Sequence, residues 1–425
     1  MNTGAIAVSL FLCLSAATLS AQEQQSAVPQ GWRVIPMPIV CYNSDLGFQF
    51  GANSDIYNYG TGPSLYPKYL HKFHVEACYS TKGQTLANID YDSEHLIPGV
   101  RVSASATAQI DPLYNFFGFN GDVTTYDRKL DRHDGVAYYC YRRSLFRFRS
   151  IIQGQIAPRL KWVGGMSFWY ILNEDLNLKG YQPDNTLFHS YRTSGIIRDD
   201  EVKGGFFEFT GGLSLDTRDF EPSPTKGIWA EAYFVGAPDI LHTGYSYLKF
   251  CARFRHYFTP GPEWLTFAYN LAYQGTIAGE APYYMQQNIY SLLTKQAVCE
   301  GLGGLNTVRG VMGCRLLGND YAWANFEIRC RIINGTLLGM NWYIALNPFF
   351  DLGIITRPFR IKEMSAVLGR PEDELTRLAC SLHKSAGLGI KIGLDRNYIL
   401  SLEVGKSFSN NDGPVCISTA INYIF

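Results

Sequence analysis

Hydrophobic and polar residues alternate with a period of two along most of the chain after residue 31. In residues 398–407, YILSLEVGKS, one face would carry Tyr, Leu, Leu and Val and the other Ser, Glu, Gly and Ser. This pattern is typical of a β-strand with one apolar and one polar face. Sixteen such segments begin near residues 32, 46, 71, 84, 99, 135, 157, 204, 227, 244, 264, 319, 341, 384, 398 and 413.

The lengths of the segments and of their connections favour a membrane barrel. Most segments reach about ten residues, enough to cross a bilayer at a tilt, whereas strands of soluble domains average about five or six. The long connections all follow odd-numbered segments, and those after even-numbered segments are mostly short, with residues 58–70 as the exception; the long ones are residues 111–134, 174–203, 277–318 and 355–383. Outer-membrane barrels sort their loops in this way.

We therefore predict an all-β fold, a transmembrane antiparallel β-barrel of 16 strands over residues 32–425. Its predicted location is the outer membrane of a Gram-negative bacterium, with membrane lipid as its surroundings. A large soluble all-β protein is the alternative.

The start of the chain has the pattern of a secretory signal. Residues 4–21, GAIAVSLFLCLSAATLSA, are apolar and precede the polar QEQQS. We predict a signal peptide over residues 1–21, cleaved after Ala21, and a short tail over residues 22–31. A retained membrane helix is the alternative, and lipoprotein cleavage at Cys13 is disfavoured by the bulky Leu12 before it.

Composition and motifs exclude several functions. Lys+Arg and Asp+Glu are both 37, so the net charge is zero and a nucleic-acid partner is not expected. G-x-S-x-G, P-loop and H-E-x-x-H motifs are absent from the sequence, and so is C-x-x-C. We predict no enzymatic activity, no cofactor and no metal site. A lipase with a Ser–His pair on the barrel is the enzymatic alternative, although no motif marks such a pair.

A candidate charge cluster links one long connection to the two strands that follow it. The connection contains Gly-Gly-Leu-Asn-Thr-Val-Arg-Gly, which ends at Arg309 and Gly310. Alternation directs Glu327 and Asp351 of the next two strands into the barrel. A guanidinium can bridge carboxylates with several donors, and glycine permits close backbone approach. We predict that residues 277–318 fold into the lumen and are held there by Arg309; an ordinary exposed loop arginine is the alternative.

The same residues resemble the BamA/TamA-type surface-antigen superfamily of sixteen-stranded barrels. That family carries V-R-G-[FY] in its sixth extracellular loop, and here Val311 replaces the aromatic residue. The segment Phe349-Phe350-Asp351-Leu352-Gly353 resembles the F-x-D-x-G strand of the family, and Glu327 matches its lumen-facing acid. The resemblance implies insertion or translocation of proteins at the outer membrane, with other assembly proteins or lipoproteins as partners. Between Ala21 and Trp32 there is no room for a POTRA domain, so a member without these domains is expected.

The resemblance also implies a weak seam between the first and last strands. Pro36 and Pro38 cannot donate to a strand ladder, and the last strand would end with Tyr423 and Phe425. We predict these four residues as the seam; a closed barrel that tolerates two prolines is the alternative. In the seventh loop, Pro371 and the acids after it predict a short amphipathic helix that caps the lumen or binds a partner.

The leading functional expectation is participation in the insertion, assembly or export of outer-membrane proteins, by seam opening and not by covalent chemistry. One alternative is a structural or partner-binding barrel without insertase activity. The other is a pore for small solutes.

Overall fold

A computed structural model describes residues 30–44, 46–61, 68–131, 137–221, 223–293, 298–337, 340–394, 398–421, 423 and 425. The predicted signal peptide, residues 1–21, and residues 22–29 of the predicted tail lie outside the described residues.

The described chain forms one closed antiparallel sheet in which each strand pairs with its neighbours in sequence. The predicted sixteen-stranded, all-β barrel is confirmed, and the strands begin within a few residues of the predicted positions. The strands are β1 (Trp32–Asn43), β2 (Gly47–Asn58), β3 (His71–Ser80), β4 (Thr85–Ile97), β5 (Val100–Asn115), β6 (Cys140–Ala157), β7 (Leu160–Glu174), β8 (Lys203–Asp216), β9 (Gly227–Ala237), β10 (Ser246–Phe258), β11 (Leu265–Glu280), β12 (Asp320–Leu337), β13 (Met340–Arg357), β14 (His383–Leu394), β15 (Tyr398–Ser407) and β16 (Cys416–Ile421).

Alternation along each strand separates an apolar outer face from a polar lumen. On β12, Phe326 and Ile328 are exposed on the outer face, while Glu327 between them is buried. On β13, Phe350 is exposed and Asp351 is fully buried. An apolar exterior around a charged interior is the reverse of a soluble domain and is the arrangement of an outer-membrane barrel.

The connections after odd-numbered strands lie at one end of the barrel, here called the long-loop end. They are L1 (44–46), L2 (81–84), L3 (116–139), L4 (175–202), L5 (238–245), L6 (281–319), L7 (358–382) and L8 (408–415). The α-helices are α1 (Leu187–Thr193) in L4, α2 (Tyr283–Gln286) in L6, and α3 (Ile361–Leu368) and α4 (Glu372–Ala379) in L7. Short 3₁₀ turns span Gly121–Val123, Arg128–Leu130, Asp199–Glu201 and Asn410–Asp412.

The helix predicted in the seventh loop is α4, which follows Pro371 and buries Leu375. The helix α3 was not predicted. It follows Arg360, which has a left-handed backbone and is not one of the residue types that mark a helix start in a sequence. No helix within the described residues is long and apolar enough to cross a membrane.

L6 lies inside the barrel, as predicted. Leu302, Val308, Val311 and Leu316 of L6 are fully buried and pack in one apolar cluster with Ile355 of β13. L6 also pairs with itself, because the backbone N–H groups of residues 302 and 316 each donate to the other residue's carbonyl oxygen. The loop is thus a folded plug with its own apolar contacts to the wall.

Candidate functional site: the loop anchor and the seam

The structure brings Arg309 of L6 together with Glu327 of β12 and Asp351 of β13. Arg309 Nη1 donates to Glu327 Oε1 at 2.6 Å. Its Nε and Nη2 donate to the two carboxylate oxygens of Asp351, each at 2.8 Å, and its backbone N–H donates to Asp351 Oδ2 at 2.9 Å. All three side chains are almost completely buried. Bidentate and charge-assisted geometry of this kind gives the strong class of hydrogen bond.

Further side chains that the sequence did not single out complete this cluster. Glu403 of β15 lies 3.7 Å from Arg309 Nη1 and bonds to Lys391 of β14. Arg329 of β12 donates to Glu327 Oε2 at 3.0 Å, and the Arg309 guanidinium lies 3.7 Å from the centre of the Phe349 ring. The alternation of β14 and β15 already places Lys391 and Glu403 on polar faces, which is the signal that could have found them. Three acids therefore face three bases, so the buried charges are balanced.

Gly310 fixes L6 against β15, directly beside Arg309. Its backbone has φ of +81°, and a Cβ at this position would lie 2.6 Å from the backbone nitrogen of Lys406. Its carbonyl oxygen accepts a hydrogen bond from the backbone N–H of Ser407 at 2.9 Å. Only glycine combines this conformation with this approach at low cost.

A second anchor, which the sequence did not predict, holds the first part of L6. Lys249 Nζ of β10 donates to the carbonyl oxygens of Met285 and Gln286, at 2.8 and 3.1 Å. Arg253 Nη2 donates to the carbonyl oxygen of Tyr290 at 2.6 Å, and Arg149 of β6 binds the carbonyl oxygens of residues 291 and 293. Here the barrel supplies the cations and the loop supplies neutral acceptors, the reverse of the Arg309 cluster.

The contact between β1 and β16 is narrow. β1 pairs with β2 along its whole length, but its register with β16 contains one pair among the described residues, Asn43 with Ser418. Beside this pair, Ser44 N donates to the Ile417 carbonyl oxygen at 3.1 Å and Tyr42 N to Thr419 Oγ1 at 3.3 Å. We call this contact, together with the adjoining edge of β1 over residues 32–41, the seam.

Pro36 and Pro38 lie on the exposed edge of β1 in this seam. The backbone N–H groups of Tyr42 and Ser44 point towards β16, and donors on one edge of a strand recur at every second residue. Positions 36 and 38 therefore belong to the same edge, where proline supplies no donor.

Tyr423 and Phe425 do not lie at the seam, where the sequence placed them. Phe425 is buried against Tyr257 of β10 and Ala268 of β11. Its carbonyl oxygen accepts a hydrogen bond from Arg329 Nη2 at 2.6 Å, and the Tyr423 ring centre lies 4.0 Å from the Arg329 guanidinium. The difference arises because β16 ends at Ile421, so strand alternation no longer assigns the faces of the residues beyond it.

One side of the lumen is not filled by L6. A cavity of about 390 Å³ lies between L6 and the β1–β5 wall. Its lining combines apolar side chains with polar ones, which include Glu76, Asn88 and Asp111 of the wall and Asn306 of L6.

A sixteen-stranded barrel that holds L6 inside by a buried arginine and closes through a narrow first-to-last contact has the fold of the solved BamA and CdiB barrels. The chain resembles the crystal structure of BamA from Haemophilus ducreyi lacking POTRA domains 1–3, with a TM-score of 0.58 and 14% sequence identity over 93% of this chain and 70% of that chain. It also resembles CdiB from Escherichia coli, with a TM-score of 0.57 and 12% identity over 94% of this chain and 64% of that chain. No family model and no curated protein matches the sequence. At these identities the likeness establishes the fold.

Proposed function

We propose that this protein takes part in the insertion, assembly or export of outer-membrane proteins in a Gram-negative bacterium. Its mechanism would be opening of the seam, with membrane lipid around the barrel and other assembly proteins or lipoproteins as partners. The observation that carries the proposal is the seam, where β1 has a complete partner on one side and a single described register pair on the other.

An open strand edge is a template for another strand. A row of unpaired N–H and C=O groups can bind an extended segment by adding it to the sheet. Within the described residues, the β1 edge over residues 32–40 has no register partner in β16 and offers such a row, interrupted by two prolines. The prolines weaken permanent pairing with β16, while the carbonyl oxygens along the edge stay available to a client strand.

The interior supports the same mechanism, because L6 is held independently of the seam. Its two anchors bind β6, β10, β12 and β13, and Gly310 supports β15 from inside. Separation of β1 from β16 would break few hydrogen bonds and leave these contacts intact. The proposed role requires no covalent step.

The test is a disulfide across the seam. Cys41 and Cys416 are first replaced by serine, and Asn43→Cys is then combined with Ser418→Cys, the positions that form the register pair. The readout is the rate at which an unfolded outer-membrane barrel protein inserts into liposomes that contain the purified variant. We expect oxidation to abolish the stimulation of insertion and a reductant to restore it.

The matched control places the same crosslink one strand away. Ser401→Cys with Ala420→Cys joins β15 to β16 without touching the seam, so insertion should proceed in both redox states. If the oxidised seam variant inserts clients as fast as the reduced one, seam opening is not the mechanism. Mild-detergent purification at native expression level, with mass spectrometry, then decides whether the barrel has assembly partners or stands alone.

The cavity beside β1–β5 favours a second candidate, a pore for small solutes. A cavity of about 390 Å³ that several polar side chains line could form part of an aqueous path if its ends open. Single-channel recording tests this directly. A steady conductance that the seam disulfide leaves unchanged would favour the pore, and low conductance would favour the assembly role.

A further inference from the structure

Three loops meet at a small polar cluster at the long-loop end. Ser381 Oγ of L7 donates to Asp122 Oδ2 of L3 at 2.8 Å and lies 3.1 Å from Nε2 of His383, the first residue of β14. His383 Nε2 is 3.9 Å from the same Asp122 oxygen. An oxygen of a carboxylate, a hydroxyl oxygen and an imidazole nitrogen thus form one compact triangle.

The other side of the imidazole is fixed by L8. His383 Nδ1 lies 2.8 and 3.0 Å from the two carboxylate oxygens of Asp412, and Ser407 Oγ donates to Asp412 Oδ2 at 2.6 Å. These two contacts direct the Nδ1 proton to the carboxylate, so that the lone pair of Nε2 faces Ser381 and Asp122.

This arrangement leaves two acceptors competing for one proton. Ser381 has a single hydroxyl hydrogen, and both Asp122 Oδ2 and His383 Nε2 are within its reach. When Ser381 donates to the partly exposed Asp122, it cannot also donate to Nε2 of a neutral imidazole, and this is costly because His383 is buried. A cation among the three atoms removes the conflict, because every atom then directs a lone pair towards it.

We propose that Asp122, Ser381 and His383 form a binding site for a divalent transition-metal cation such as Zn²⁺ or Mn²⁺, with Asp412 as the residue that orients the imidazole. The spacing fits this class of ion. Ligand atoms that share a zinc ion at about 2.0–2.1 Å in tetrahedral geometry lie roughly 3.3 Å apart, and the three separations here bracket that value. A carboxylate on the second ring nitrogen is the usual support of a metal-bound histidine.

The surroundings set the charge of the site. Among the described residues, the charged groups that face it are Asp122, Asp412 and Arg315 of L6, whose Nη2 lies 3.9 Å from Asp122 Oδ1. Arg315 is fully buried and donates to the carbonyl oxygens of Gly121, Thr124 and Asn411. Two acids and one base give the site a net negative charge, which attracts a cation. Through its hydrogen bonds, Arg315 of L6 already joins this loop to L3 and L8. A metal ion would bind Ser381 of L7 more firmly to this network and so strengthen the closure of the long-loop end.

The test is calorimetric titration of the purified full-length protein in detergent, after treatment with a chelator, with ZnCl₂ and separately with MnCl₂. We expect one saturable site that His383→Ala removes. Asp412→Asn should weaken binding by about 10- to 100-fold, the usual effect of losing the partner of a metal-bound histidine. His242→Ala, in the exposed part of L5, and His74→Ala, beside Asp55 in the lumen, should bind as the parent protein does.

A proton on Nε2 would satisfy the cluster without a metal, and the pH dependence of metal binding distinguishes the two cases. Metal ligands must be deprotonated, so the apparent affinity should rise with pH. Equal binding by the parent and by His383→Ala would overturn the proposal, and so would thermal stability that depends on pH through His383 but not on either metal. Should His383→Ala fail to fold, Asp122→Asn removes a ligand with almost no change of shape and serves in its place.

Discussion

The Arg309 cluster and the seam lie close together but are built in opposite ways. Ser44 and Ser418 of the seam line the same small void as Arg309 and Gly310. The cluster joins L6 to two strands through four charge-assisted hydrogen bonds, whereas β1 and β16 share one described register pair. The barrel therefore concentrates its specific interactions on the inner plug and leaves one joint of the wall weak.

The difference shows how a closed sheet can contain a joint that opens. In an ordinary barrel the ladder between first and last strands holds the wall, so a weak joint would threaten the fold. Here the second strand from the joint, β15, is supported from inside by Gly310. L6 thus provides part of the support that a full β1–β16 hydrogen-bond ladder would give to the wall. The following variants test whether L6 or the seam contributes more to the stability of the barrel.

Arg309→Ala should have the largest effect. It leaves Glu327, Asp351 and Glu403 facing only two bases, and removal of one partner from a buried ion pair costs about 3–5 kcal/mol. We expect a strong fall in the temperature at which the folded band converts to the unfolded band on an SDS gel, and lower abundance in the membrane. Arg377→Ala, on the exposed side of α4, is the control and should leave both unchanged. Wild-type behaviour of Arg309→Ala would mean that the apolar contacts of L6 hold the plug alone.

Gly310→Ala should have an intermediate effect and should act on the wall. The added Cβ meets the backbone nitrogen of Lys406, and φ of +81° is unfavourable for alanine, at a cost of about 1–3 kcal/mol for such strain. The matched control is Gly369→Ala in L7, because Gly369 has φ of +64° and a Cβ there would meet nothing within 4 Å. Equal melting temperatures of the two variants would show that contact with β15 adds nothing beyond backbone strain.

Much of this architecture could be predicted from the sequence because it follows from alternation. The period of two fixes which residues of β12 and β13 face inward, so it places Glu327 and Asp351 in the lumen before any contact is known. Arg309 could be predicted as their partner because it is a cation in the connection that precedes those strands and because it stands in a V-R-G motif that resembles that of the BamA/TamA-type superfamily. The finding that the long connections follow odd-numbered strands required only the lengths of the connections.

The remainder depends on contacts that leave no pattern in the sequence. Lys249 and Arg253 bind backbone carbonyl oxygens of L6, and every residue has such an acceptor. Tyr423 and Phe425 follow the end of β16, where alternation ceases to apply. The sequence predicted no metal site, since Asp122, Ser381 and His383 are brought together only when separate loops fold over the same end of the barrel.

Pro36→Val combined with Pro38→Val should have the smallest effect, and it tests why the seam is weak. The variant restores two N–H donors on the edge of β1 that faces β16. Each new hydrogen bond would add about 0.5–1.5 kcal/mol if an acceptor comes within reach. We expect slower hydrogen exchange of the amides near positions 36–40 and slower insertion of a client protein.

The control for this variant is Pro348→Val, which changes an outward-facing proline in the middle of the wall, on β13 between β12 and β14. It should not alter exchange in β1. If exchange in β1 also stays the same in the double variant, the prolines are not what keeps the seam open. The cause would then be the short last strand, because β16 ends at Ile421, before the lumen residues Tyr423 and Phe425. Arg329, which contacts both of these residues, would then be the residue that keeps β16 short.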